Sequence, residues 1–397
     1  MAGVAEKARF YLEQAVPQLR EFESKGIFSP DEIRSLVKKR TDYEHLVIAP
    51  GNKPQDWLNY VAWERSLETL RAKRCRRLEI KSSTSHAGQG RVFGILERAV
   101  NRHPGNMELW KVYLSYAKDI RATKRYRKVM TRALRMHPAK AELWVMAGKR
   151  SAKNGDMQAA RGFFMRGARF CARDATVWLE YTRCELEWLE KMEERKGKKG
   201  GAEKAIAEQA EYDEDQINLS DGESDDDDDG SVRTLVPNSD ILTLKKTVNN
   251  TTADEKGNPA LDGAIPLAIY DICKKQSFFT ASTSEQFFDV FAEFSQISVQ
   301  AKLVQHVLDS MNELYPNDAA SCYCYIRQPL VGLDASTPEY PKALRETLTR
   351  LKSTLSRTTN QTLLVKKIKS WLETLLSPDD LDTGIRTVLE HTVRSLP

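Results

Sequence analysis

Several features that define other protein classes are scarce or absent in this chain of 397 residues. No apolar run reaches the roughly 18 residues that a transmembrane helix needs, so we expect no membrane span. The stretch from Met1 to Phe10 lacks the apolar core of a signal peptide. The six cysteines are scattered and form no Cys-x-x-Cys pair, which predicts reduced, buried thiols and no metal site.

The sequence motifs of common enzyme classes are also missing. The chain contains no phosphate-binding G-x-x-x-x-G-K-[ST] loop, no G-x-G-x-x-G fingerprint, no H-E-x-x-H and no G-x-S-x-G. His103 and His137 each precede a proline at equivalent places, which predicts helix C-terminal residues that interact with the helix dipole. We therefore expect a protein with no enzymatic activity and no cofactor.

Charge is distributed unevenly along the chain. Residues 1–200 contain 42 lysines and arginines against 24 acidic residues, whereas residues 201–250 contain 4 against 14. A basic half beside an acidic tract indicates either an anionic partner for the first half or mutual screening of the two segments.

A fixed spacing organises the segment that follows residue 90. Trp110, Trp144 and Trp178 are 34 residues apart, and the same step separates three arginines, Arg98, Arg132 and Arg166. This period is typical of paired-helix repeats that stack into a solenoid, because one helix pair cannot bury its apolar face alone.

Aromatic residues are the predicted core of these repeats. An earlier unit runs 41 residues from Trp57 to Arg98 where the later units need 22, so it carries an insertion of 19 residues. We favour core packing for these aromatics, and the alternative is a platform on which bases stack. The predicted repeat-core residues are Trp57, Tyr60, Trp63, Trp110, Tyr113, Trp144, Trp178 and Tyr181.

The predicted fold is all-α, a right-handed solenoid of HAT or tetratricopeptide-like helix-turn-helix repeats with an N-terminal helical hairpin and a disordered acidic insert. The hairpin comprises an amphipathic helix over residues 5–24 and a second helix that a Ser29–Glu32 capping box begins. The predicted domains are a hairpin at 1–50, a solenoid at 51–190, a charged linker at 191–262 and degenerate helical repeats at 263–397.

The acidic linker interrupts the fourth repeat. Its high like charge and few apolar residues predict disorder, either as a plain solvated linker or as a regulatory tract. Ser220 and Ser224 each precede acidic residues and are candidate phosphorylation sites. The helical pattern at 264–273 then resembles the displaced second helix of the fourth unit.

The segment from Arg121 to Arg135 is the most basic and contains no acidic residue. It is interpreted either as the solvated face of one repeat or as a contact with RNA phosphate or an acidic protein segment. The candidate anion-facing or RNA-facing residues are Arg121, Lys124, Arg125, Arg127 and Lys128.

The helix pairs resemble the half-a-tetratricopeptide (HAT) repeat. Its pattern is W-x-x-[YW]-x-x-x-E in the first helix and R-x-[VF]-[FY]-x-x-x-x-R-A in the second. The first helices of two units fit it, with Trp57, Tyr60 and Glu64 in one and Trp178, Tyr181 and Glu185 in the other. Ala117 and Ser151 replace the glutamate in the middle units. The resemblance implies membership of an RNA-processing assembly.

The N-terminal block is similar to a narrower family. Residues 8–13, 25–28 and 37–44 resemble the start of the HAT-repeat subunit of the UtpB complex, a small-nucleolar-RNA-associated component of the small-subunit processome. That resemblance implies a scaffold in the nucleus and nucleolus for 18S rRNA maturation. The implied partners are WD40-repeat proteins of the complex, pre-rRNA and the guide small nucleolar RNA. The alternatives are a HAT scaffold of pre-mRNA splicing or 3′-end processing, and a solenoid that binds RNA directly.

Overall fold

The computed structural model describes residues 2–80, 86–199, 262–377 and 382–396, and every regular element in these ranges is helical. The all-α prediction is therefore confirmed for this part of the chain. Among the described residues, no helix is both long and apolar enough to cross a membrane. The chain divides into two compact units, Met1–His137 and Pro138–Pro397. This division falls inside the stretch 51–190, whose boundaries stay a prediction.

The first unit contains seven helices. They are α1 (Ala2–Glu13), α2 (Val16–Ser24), α3 (Pro30–Ile48), α4 (Pro54–Arg77), α5 (Ala87–Arg102), α6 (Met107–Asp119) and α7 (Thr123–Met136). Helix α1 packs against α3, and each of the pairs α4–α5, α5–α6 and α6–α7 is in contact.

The described part of the second unit contains ten α-helices and a short 3-10 helix, Gln328–Leu330. The α-helices are α8 (Ala141–Lys153), α9 (Met157–Phe170), α10 (Thr176–Lys199), α11 (Ala264–Lys274), α12 (Ala281–Glu293), α13 (Gln300–Leu314), α14 (Ala319–Arg327), α15 (Tyr340–Leu355), α16 (Gln361–Leu376) and α17 (Thr383–Ser395).

The expected single helix over residues 5–24 is wrong in one respect. Two helices occupy this stretch, α1 ending at Glu13 and α2 beginning at Val16. Pro17 is the cause, because a proline inside a helix removes one backbone N–H and its ring clashes with the carbonyl four residues earlier. It is tolerated in the first turn of α2, where that N–H has no partner within the helix.

The start of α3 has the predicted cap. The Ser29 side chain accepts from the Glu32 backbone N–H at 3.2 Å, and the Glu32 carboxylate accepts from the Ser29 N–H at 2.9 Å. Pro30 occupies the first turn. The capping-box prediction is therefore confirmed.

The repeated tryptophans share one local hydrogen bond. The indole Nε1 of Trp110 donates to the Pro104 carbonyl at 2.8 Å, and that of Trp144 donates to the Pro138 carbonyl at 2.7 Å. In both cases the acceptor lies six residues earlier. His137 ends α7 as its C-cap, as expected from the sequence. A buried indole N–H needs such a partner, so the His-Pro turn and the tryptophan form one repeated local structure.

Most of the predicted repeat-core aromatics lie in the interior. Seven of the eight are at most 3% exposed: Trp57, Tyr60, Trp110, Tyr113, Trp144, Trp178 and Tyr181. Trp63 is half-buried, with its ring centroid 5.6 Å from that of Tyr43. These positions are compatible with core packing, and their role as repeat-defining residues stays a prediction.

Close helix packing in the second unit depends on glycine. A Cβ placed on Gly148 would lie 2.6 Å from the Phe164 ring, and one on Gly167 would lie 2.7 Å from the Cβ of Trp144. The two glycines therefore let α8 and α9 pack more closely than larger side chains would. Helix α11 packs against α10, as the hypothesis of a split fourth unit requires. Ser220, Ser224 and nearly all of the acidic linker lie outside the described residues.

Candidate protein and nucleic-acid interface

The basic segment predicted from the sequence lies on α7 and the turn before it. Its apolar side chains recur at helical spacing and are buried, namely Tyr126, Val129, Met130, Ala133 and Leu134. The basic side chains consequently occupy the opposite side of the helix. Arg121, Lys124, Arg125 and Lys128 are exposed, and Arg127 is half-buried. The structure thus brings four of the five candidate residues to the surface of one helix and its leading turn.

Not every arginine near this surface is available to a ligand. The guanidinium of Arg125 lies over the Phe93 ring, 4.4 Å from its centroid. Arg132 lies 5.4 Å from the Trp110 ring and is ion-paired with Glu97. Arginine packs its planar group on aromatic faces while its edge remains accessible to water. Lys124 and Lys128 are therefore the simplest candidates for a diffuse contact with phosphate.

A second group of charged residues is buried within the first unit. Arg40 of α3 donates to Glu64 of α4 through Nε at 2.7 Å and Nη2 at 3.0 Å. These side chains are 1% and 2% exposed, so the ion pair is removed from water. Arg40 also donates to Gln18 of α2 at 3.3 Å. One guanidinium thus connects three helices.

Glu44 is the second buried carboxylate of this group. It accepts from the Tyr60 hydroxyl at 2.9 Å and from two Arg98 nitrogens at 2.8 and 2.9 Å. Burial and the neighbouring carboxylates raise the pKa of Tyr60, which keeps its hydroxyl protonated as a donor. Burial opposes the charge on Arg98, but the bonds to Glu44 outweigh it and raise its pKa. The Arg98 guanidinium also lies 3.8 Å from the Tyr11 ring centroid.

Arg91 of α5 is the remaining cation of this cluster. Burial, followed by the nearby charge of Arg40, lowers the pKa of Arg91. Its Nη1 reaches the Tyr11 carbonyl only at 3.4 Å, and its Nε is buried without a hydrogen-bond partner. The two carboxylates are taken by Arg40 and Arg98, so Arg91 is a surplus cation.

The second unit contains an ion pair of the same form. Arg161 of α9 donates to Glu185 of α10 through Nε at 2.8 Å and Nη2 at 2.9 Å. The two residues are 24 positions apart in the sequence, as are Arg40 and Glu64. Burial raises the pKa of Glu185, and the bonds from Arg161 oppose that rise. Glu64 and Glu185 occupy the glutamate position of the helix pattern, which indicates the same local arrangement in two repeats.

The arginine partners of these glutamates were not among the predicted site residues. Arg40 ends the basic run Lys38-Lys39-Arg40, which is typical of a solvated surface. The signal that could have identified it is the separation of 24 residues from the motif glutamate, shared with Arg161. Arg98 lies in the 34-residue ladder, but its pairing with Glu44 has no signal in that spacing.

The described residues offer little to a metal. They contain no group of three or more histidine, cysteine or acidic side chains arranged to hold an ion. All six cysteines are unpaired and buried. Burial raises the pKa of Cys324 and of Cys322, so both thiols stay protonated near neutral pH.

Comparison with known proteins locates a relationship in the N-terminal part of the chain. Residues 12–92 match a family model described as U3 small nucleolar RNA-associated protein 6. The matched segment contains Arg40, Glu44, Tyr60, Glu64 and Arg91 of the buried cluster.

Three curated proteins are similar over about half of the chain. The U3 small nucleolar RNA-associated protein 6 of Schizosaccharomyces pombe is 33% identical over 193 residues, which is 48% of this chain and 40% of that protein. The human homolog is 30% identical over 201 residues, 49% of this chain and 33% of the homolog. The mouse homolog is 28% identical over 197 residues, again 49% and 33%.

The aligned part of the chain thus spans 40% or less of the length of these relatives. The whole activity of the relatives does not transfer with such a partial match. The family model and the three relatives support a relationship between this chain and the U3 small nucleolar RNA-associated protein 6 family.

Proposed function

We propose that this protein is a non-enzymatic scaffold in ribosome biogenesis that acts in small-subunit (18S) pre-rRNA processing. The observation that carries the proposal is the match of residues 12–92 to the U3 small nucleolar RNA-associated protein 6 family. The ion pairs from Arg40 and Arg98 fall in or next to that segment and connect its helices, as expected for a rigid binding platform.

The finer parts of the proposal concern architecture and partners. The helix pairs form a HAT-type solenoid, and the chain belongs to the UtpB complex, where its surface binds WD40-repeat proteins. The supporting observations are the 34-residue spacing, the repeated Trp-to-Pro hydrogen bond and the ion pair at equal separation in two units. The proposed location is the nucleolus.

Contact with RNA is a second candidate function, which the exposed basic face of α7 favours. Lys124 and Lys128 are exposed lysines on one helix, and lysines of this kind bind phosphates without sequence preference. In this hypothesis pre-rRNA or the U3 RNA passes across α7 within the assembled particle, in addition to the protein contacts.

The test is affinity purification of the tagged chain from growing cells. We expect WD40-repeat proteins, U3 RNA and pre-rRNA to be recovered together. Recovery of splicing or 3′-end cleavage factors in their place would contradict the proposal. A variant with Lys124→Ala and Lys128→Ala separates the two functions: loss of RNA with retention of protein partners supports RNA contact through α7, and unchanged RNA recovery contradicts it.

A further inference from the structure

A groove of about 440 Å³ lies on the first unit beside the buried ion-pair cluster. Tyr11 and Gln14 of α1 line one side, and Gly90, Arg91 and Gly94 of α5 line the other. A Cβ built on Gly90 or Gly94 would meet no atom within 4 Å. The open space above α5 is therefore available to atoms from another molecule.

The charge beneath this groove is unbalanced. Three arginines of the cluster, Arg40, Arg91 and Arg98, face two carboxylates, those of Glu44 and Glu64. Two guanidinium nitrogens have no hydrogen-bond partner and are buried, the Nη1 of Arg40 and the Nε of Arg91. An unsatisfied buried donor is destabilising, and more so when it carries charge. The free protein thus retains a cation that an external anion would satisfy.

We propose that this groove binds a segment of a partner protein and that an aspartate or glutamate of the segment pairs with Arg91. The two glycines allow the backbone of that segment to approach α5 closely, since neither projects a side chain into the groove. Arg91 then gains the charge-assisted hydrogen bonds that it lacks in the free chain.

The same groove disfavours a nucleic acid. The carboxylates of Glu44 and Glu97 also line it, so a strand of consecutive phosphates would meet two like charges. A single carboxylate on an otherwise neutral segment can pair with Arg91 and avoid that repulsion. The charge pattern is therefore complementary to an isolated acidic residue of a protein.

This inference deepens the proposed scaffold function, on which it rests only for the occupant being a protein. Its test uses the purified full chain and two labelled peptides of 12 or so residues, one of repeated Ala-Ala-Glu and one of repeated Ala-Ala-Gln. Fluorescence anisotropy at low salt measures binding. We expect the glutamate peptide to bind and the glutamine peptide to bind weakly.

Two substitutions locate the contact, and a third serves as the control. Arg91→Met should weaken binding of the glutamate peptide about tenfold or more, since one charge-assisted hydrogen bond is lost. Gly94→Leu should weaken it similarly by filling the groove. Lys128→Met, which removes an exposed charge from α7, should leave binding nearly unchanged.

The stability of the free variants separates binding from a structural role. Arg91→Met should unfold at the same temperature as the wild type or higher, because it removes a buried unpaired donor. A large loss of thermal stability would show that Arg91 holds the fold together and would overturn the proposal. Equal weakening by Lys128→Met, or an oligouridine RNA that requires Arg91 where the peptide does not, would overturn it as well.

These outcomes are independent of the scaffold proposal. Failure of purification to recover U3 RNA from cells contradicts the scaffold function and leaves the peptide result intact. Failure of the peptide to distinguish Arg91→Met from wild type contradicts the groove proposal and leaves the cellular role intact.

Discussion

Removal of Glu64 tests whether the buried ion pair governs the stability of the first unit. In Glu64→Ala, the Arg40 guanidinium loses two hydrogen bonds and keeps only the 3.3 Å bond to Gln18, while its side chain is 1% exposed. Removing one partner of a buried pair costs about 3–5 kcal/mol, because the other charge is left in a low-dielectric interior. The nearby Arg91 adds repulsion.

That loss is large beside the stability of a typical domain, about 5–15 kcal/mol. Because the chain has two compact units, it need not unfold in one step. The appropriate assay is native-state hydrogen exchange by mass spectrometry at increasing urea, followed on peptides from α3 and α4. We expect the opening free energy of both helices to fall by about 3–5 kcal/mol, with little change in peptides from α12 to α14.

Two control variants make the result interpretable. Glu13→Ala disrupts the Arg9–Glu13 pair, whose side chains are 80% and 59% exposed, and should cost less than about 1 kcal/mol. The double variant Arg40→Met with Glu64→Leu removes both charges and should recover most of the loss. A Glu64→Ala effect no larger than that of Glu13→Ala would refute the reasoning.

Two further predictions concern pH and packing. The side-chain bond from Arg74 and the backbone bond from Ser29 lower the pKa of Glu32 from 4.5 to about 2, so its stabilising effect is present at neutral pH and is lost as pH falls from 4.5 towards 2. Urea titrations should therefore show that Glu32→Gln destabilises by less than about 1 kcal/mol at pH 7 and not at all near pH 2, and a pH-independent difference would contradict this. In α9, Gly167→Ala should cost about 1–3 kcal/mol by thermal unfolding, because the new Cβ would lie 2.7 Å from that of Trp144. The matched Gly162→Ala meets no atom within 4 Å and should stabilise slightly, so equal effects would be inconsistent with the packing described.

Local rules predicted part of the fold well. The Ser29 cap depends on residues close in sequence, and a capping box has few alternative conformations. The buried tryptophans follow from a period that one helix pair cannot satisfy alone. The break between α1 and α2 was missed because the apolar pattern continues across it, although Pro17 cannot lie inside a single helix.

The charged interior was less predictable for a physical reason. Arg40 follows two lysines, and composition places such runs in water. Helical geometry offers a different indication, since Arg40, Glu44 and Val47 fall three or four residues apart on one face, and all three are buried. What decides between the two is the presence of Glu64 on another helix. That contact is not local, so the spacing within α3 cannot specify it.

The position of the two ion pairs along the sequence bears on what they do. One lies in the unit lengthened by 19 residues, and the other in the unit that the acidic insert interrupts. The intervening units carry Ala117 and Ser151 at the glutamate position and keep the regular spacing of 34 residues. Apolar contacts tolerate a helix that slides by one turn, whereas a buried bidentate pair is satisfied in only one register and is costly in every other. A specific pair is therefore most useful where an insertion leaves the helix register least determined by the repeat, and Arg40–Glu64 and Arg161–Glu185 lie at those two places.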